Sequence, residues 1–171
     1  FGRLQFELDL TEKLQLTSVT GIDQAIVVLG RETLYRWLAV SMFKAGGDNA
    51  RDAALLEVAL SRARFLELLG LTVGSKQQAD ELFLVGLLSF VDTLLGMPMN
   101  EVMSSLSLPA VVRRVLLDSD GPYVPHLILA LSVEKGRTER MAQQACAMGI
   151  ALDVLMAHRD AALTWAEDAA R

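Results

Sequence analysis

Glu81 to Leu108 reads ELFLVGLLSFVDTLLGMPMNEVMSSLSL, and its first half decides the fold class. Between Leu82 and Leu95 only Gly86, Ser89, Asp92 and Thr93 interrupt an apolar run. A helix built from it is greasy around most of its circumference, so it belongs in the middle of other helices. Gly86, Ser89 and Asp92 recur every three residues and predict a narrow strip where a second backbone approaches closely. Asp92 is then the charge that the strip must accommodate, because a buried carboxylate needs a partner or hydrogen-bond donors.

Working outward, Ser75 and Gln78 have capping-box spacing and predict the start of this central helix, while Gly96 and Pro98 predict its end. On the upstream side, a helix capped by Asp48 or Asn49 runs to Leu69 before Gly70. Its buried face is Leu55, Leu56, Ala59, Ala63, Leu66 and Leu69. Arg64 and Glu67 lie one turn apart and are expected to pair at the surface, where such a pair contributes a few tenths of a kcal/mol. Arg62 is expected to pair with a carboxylate elsewhere. Further upstream, Ile22 to Leu29 and Arg31 to Lys44 read as helices. Leu4 to Leu10 alternates like a strand, which is hard to reconcile with a helical remainder because a lone strand has nothing to pair with.

Downstream, Asn100 begins a short helix through Leu106. Ser107, with Pro109 inside the next segment, marks a fresh start whose apolar side is Val111, Val112, Val115 and Leu116. Asp120, Gly121 and Pro122 form a turn before a helix from Tyr123 to Lys135, with Pro125 in its first turn and Gly136 closing it. Helices from Thr138 to Met148 and from Ala151 to Ala170 complete the chain. Trp165 is expected to anchor the end by packing its ring into the body. The expected fold is all-α, with eight or nine helices in a single domain over residues 1–171.

Composition removes several function classes. The 171 residues are 52% hydrophobic and 22% charged, which excludes a disordered chain. A net charge of −5, with Arg113 and Arg114 as the only adjacent basic pair, argues against a nucleic-acid binder. The longest strongly apolar segment is too short for a bilayer about 30 Å thick and contains Asp92, so a membrane role is not expected. One cysteine and no secretory signal point to a cytoplasmic chain. Cys146, set among Ala145, Ala147 and Met148, reads as a buried thiol rather than a nucleophile. His126 and His158 do not have metal-ligand spacing, no glycine-rich turn follows a strand, and no cofactor is expected. Met97, Met99 and Met103 offer either core filling or a soft contact surface.

With these residues in view, the chain resembles the HDOD family, helical domains related to the HD phosphohydrolases but lacking their metal site. The resemblance is carried by QAIVVLG at Gln24 to Gly30, by SRARFLELLG at Ser61 to Gly70, and by ELFLVGLLSFVDTLLGMPMNEVMSSLSLP at Glu81 to Pro109. Leu116-Leu117, Glu134 and the tail from Ala161 to Ala166 add to it. It is most similar to the C-terminal part of bacterial proteins that join an EAL domain to an HDOD domain. HD hydrolases hold metal through a His, a His-Asp pair and a further Asp, and the Ser61 to Gly70 helix resembles the one that carries the first His. No histidine stands there.

The resemblance implies a compact HD-like domain with a non-catalytic regulatory role. The expected partner is another protein or an upstream EAL-like domain in cyclic di-GMP signalling, with self-association also allowed, and any phosphodiesterase activity belongs to the EAL domain. The alternative is a degenerate HD-type phosphohydrolase or nucleotide-binding sensor, for which Arg62, Asp92 and His126 would have to share a cleft. Leu10 to Thr20 departs from the longer N-terminal helical region of the relatives, so the domain is expected to be shortened or incomplete on that side. The residues singled out for structural or interaction roles are Arg62, Arg64, Glu67, Asp92, Glu134 and Trp165.

Overall fold

The computed structural model describes residues 50–104 and 108–170. The strand-like Leu4 to Leu10, the helices expected before Asp48 and the Asp48/Asn49 cap lie outside these residues. The described part is all-α, in the order α1 (Ala50–Val73), α2 (Lys76–Leu88), α3 (Val91–Leu95), α4 (Met99–Ser104), α5 (Ala110–Asp118), α6 (Val124–Glu134), α7 (Thr138–Ala147) and α8 (Leu152–Ala170). No described helix is long and apolar enough to cross a membrane.

α2 begins as its sequence predicts. Ser75 Oγ accepts from the Gln78 backbone N–H at 3.2 Å, and Gln78 Oε1 accepts from the Ser75 N–H at 2.8 Å, so two end-of-helix donors are satisfied reciprocally. Every residue from Leu82 to Leu88 is buried, as a helix apolar on all sides requires.

The central helix is nevertheless shorter than expected. It stops at Leu88, and α3 starts afresh at Val91. At the break the Ser89 hydroxyl donates back to the Gly86 carbonyl at 2.6 Å, a local side-chain bond that competes with continuation of the helix. Asp92 therefore sits on α3, half-buried and off the strip.

The close approach itself is present. A Cβ added to Gly86 would lie 2.5 Å from Ala63 Cα, so only a glycine lets α1 and α2 come this near. Gly70 serves the same contact farther along, 2.7 Å from Ala79 Cα by the same measure. This corrects its expected role as a helix stop: α1 runs through it to Val73.

α1 packs against α2, α8, α6 and α3, which makes it the hub, while α5 and α6 cover the other side of α2. The largest apolar cluster joins Leu66 and Leu69 of α1, Leu82 and Val85 of α2, Val112 and Val115 of α5, Leu129 of α6 and Leu155 of α8. A second holds Leu56, Leu60, Ala63, Phe83, Leu87 and Ala166, and a third unites Leu88, Val91, Val102 and Met103. Of the face predicted for α1, Leu55 is only half-buried and the rest is buried. Pro109 flanks α5 at its N-cap rather than lying inside it.

Candidate functional site

Arg62 lies on α1 one residue before Ala63, at the glycine contact, so its side chain leaves the α1/α2 interface toward α6. It is 4% exposed. Nε donates to Glu134 Oε1 at 2.6 Å and Nη2 to Glu134 Oε2 at 2.5 Å, a bidentate pair between helices 72 residues apart in sequence. Nη1 donates to Ser89 Oγ at 2.8 Å, and the guanidinium lies 4.1 Å from the centre of the Phe90 ring. The break between α2 and α3 thus supplies both a hydroxyl and an aromatic face to one buried cation.

This pair borders a cleft of about 480 Å³ between α1, α6 and α8. Val58, Phe65, Ala130, Val133 and Leu163 give it apolar walls; Glu57, Ser61, Arg62, Glu134, Lys135 and Arg159 add polar groups. Val58 and Leu163 are 39% and 44% exposed, large apolar side chains left open to solvent.

Arg64, Glu67 and Trp165 form a separate cluster. Arg64 Nη1 donates to Glu67 Oε2 at 2.7 Å, but Glu67 is buried, so this is a partly desolvated pair rather than the expected surface one. The Arg64 guanidinium stands 5.6 Å from the Trp165 ring centre, and Trp165 meets Phe83 edge to face at 6.3 Å. The half-buried Trp165 ring therefore ties α8 to α1 and α2.

Asp92 joins neither cluster. Its carboxylate accepts from the backbone N–H of its neighbour Thr93 at 2.7 Å. Its carbonyl accepts from Met97 N–H at 3.2 Å, and Met97 is 44% exposed while Met103 is buried. The methionines therefore divide between core and surface.

The three residues that the hydrolase alternative requires, Arg62, Asp92 and His126, do not share a cleft. Neither Asp92 nor His126 lines the cleft that holds Arg62. No group of three or more His, Cys, Asp or Glu side chains suited to a metal occurs among the described residues. His126 is half-buried and meets Tyr123 edge to face, and burial holds its imidazole below its ordinary pKa. His158 contacts Thr72 Oγ1 at 2.8 Å; burial, and then the Arg64 charge, lower its pKa as well. Cys146 is exposed, contrary to its expected burial, because α7 turns Met141 and Ala145 inward instead.

Sequence reasoning did not single out Phe90, Lys135, Arg159, Val58 or Leu163. Lys135 directly follows Glu134, a local signal that this helix end carries both charges. Phe90 reaches Arg62 from the break between α2 and α3, and Val58, Arg159 and Leu163 meet only where α1, α6 and α8 cross.

The chain is 25% identical over 167 residues to the cyclic di-GMP phosphodiesterase CdgJ of Vibrio cholerae, a match covering 96% of this chain and 38% of that protein. It is 28% identical over 127 residues to the uncharacterized protein YuxH of Bacillus subtilis, covering 73% of this chain and 31% of that protein. The chain thus spans less than two fifths of the length of these curated relatives. No family model matches it, and no solved structure matches it.

Proposed function

We propose that this chain is an HDOD-like regulatory domain that acts by contact with a protein partner or with an attached EAL-like domain, in cyclic di-GMP signalling. The likeness to a cyclic di-GMP phosphodiesterase over 96% of the chain supports a signalling role in general. The observation that carries the contact reading is the division of labour among the six singled-out residues. Arg62 and Glu134 hold α1 to α6, and Arg64, Glu67 and Trp165 meet between α1 and α8. Asp92 bonds to Thr93 and Met97, its near neighbours in sequence, and lies half-exposed beside exposed Met97. A carboxylate next to a soft apolar side chain suits a polar-rimmed protein contact.

The test is affinity capture from lysate of the source organism with the wild-type chain and with Asp92→Ala, Met97→Glu, alongside nucleotide-hydrolysis assays on the purified chain. Recovery of an EAL-containing protein by the wild type, lost in the folded variant, supports the reading. Hydrolysis of cyclic di-GMP or another nucleotide by the chain itself overturns it.

A further inference from the structure

The cleft between α1, α6 and α8 has a chemistry that interdomain contact does not require. A guanidinium carries five N–H donors. Three of those on Arg62 donate to Glu134 Oε1, Glu134 Oε2 and Ser89 Oγ. One N–H on each terminal nitrogen therefore has no acceptor among the described residues, although the side chain is 4% exposed. Buried donors favour an acceptor, and a charged one most strongly.

The surrounding charges have the same preference. Arg62, Lys135 and Arg159 line the cleft together with Glu57 and Glu134. Glu134 is already committed to Arg62 and Arg159 to its neighbour Asp160, so Lys135 is the cation of the lining that has no ion pair among the described residues. The remaining lining is apolar, with Val58 and Leu163 open to solvent, and the volume falls in the range of about 300–1,000 Å³ usual for small-molecule sites.

We propose that this cleft binds a small amphipathic organic anion, with a single carboxylate or similar head near Arg62 and Lys135 and an aliphatic or aromatic body against Val58, Phe65, Val133 and Leu163. Such a ligand touches three helices at once and so couples its own concentration to the packing of α8 and α6 on α1. A neutral ligand leaves Lys135 and the remaining Arg62 N–H groups without a charged acceptor, and a cationic one adds to the positive charge around them.

The full 171-residue chain would be titrated calorimetrically with octanoate, octanol, octylammonium and acetate, and the octanoate titration followed by backbone amide NMR. Saturable one-to-one binding of octanoate at least tenfold tighter than octanol, with shifts concentrated in the cleft, is the expected result. Lys135→Glu and Arg159→Glu, both at exposed or half-exposed positions, should each weaken octanoate at least threefold while leaving the amide spectrum folded. Equal affinity for octanoate and octanol, preference for octylammonium, shifts elsewhere in the molecule, insensitivity to both charge reversals, or no saturable binding would each overturn the proposal.

Discussion

The Arg62–Glu134 pair is unequal in its burial, and that sets what each deletion costs. The Arg62 side chain is 4% exposed and the Glu134 side chain 30% exposed. Removing the carboxylate leaves a buried cation with only a hydroxyl and an aromatic face. Removing the guanidinium leaves a carboxylate that water can reach. Glu134→Leu is therefore expected to lower unfolding stability by about 3 kcal/mol, and Arg62→Met by about 1 kcal/mol, because an uncompensated buried charge is the costlier remainder. Urea denaturation of the two variants checks this, and equal losses would mean that solvent reaches both partners alike. The Arg114–Asp120 pair, exposed on both sides, is not expected to matter to stability although Arg114 holds the Asp120 carboxyl below its usual pKa.

At the scale of elements, the contact between α1 and α2 rests on glycine rather than on large side chains. In an isolated helix Gly→Ala stabilises by about 1 kcal/mol, because alanine loses less backbone entropy. Here the added methyl meets the Ala63 backbone, which cannot rotate away as a flexible side chain would. Gly86→Ala is thus expected to destabilise by about 3 kcal/mol, with the two helices forced apart. Thermal unfolding followed by circular dichroism measures it, and a neutral or stabilised variant would show that α1 can shift without loss. The break at Ser89 belongs to this scale as well, since it positions both Ser89 and Phe90 on Arg62.

For the molecule as a whole, the two histidines give stability a pH dependence. Burial lowers the pKa of both His126 and His158 below the 6.5 of an unfolded chain, and Arg64 lowers His158 further. The unfolded state then binds protons more readily than the folded state. The stability associated with neutral imidazoles is complete above about pH 6.5 and declines as pH falls from there through the depressed folded values. Urea midpoints should fall between pH 7.5 and pH 5.5, and His126→Gln should reduce the fall. A midpoint that rises on acidification would contradict the direction. Tyr123 stays protonated across this window, its phenol raised by burial and by the Glu81 carboxylate to which it donates.

The Ser75 capping box and the turns at Gly136 and Gly149 were legible in the sequence because each depends on residues within about one helical turn, and the burial of Leu82 to Leu88 was legible because a helix apolar on every side has no face left for water. Local chemistry also announced the Arg64–Glu67 pair but not that Glu67 is buried, since burial is decided by what packs from outside the helix. Cys146 shows the same limit: its small neighbours are compatible with either face of α7, and only the seating of Met141 and Ala145 turns it outward. The continuous helix from Leu82 to Leu95 failed for a related reason, because apolar content does not reveal a hydroxyl that turns back on Gly86 and receives a cation from another helix. Which carboxylate Arg62 takes and the existence of the cleft were set by the crossing of α1, α6 and α8, while the break at Ser89 moved Asp92 off the predicted strip. Those contacts join residues far apart in the chain, and no local pattern encodes the angle at which helices meet.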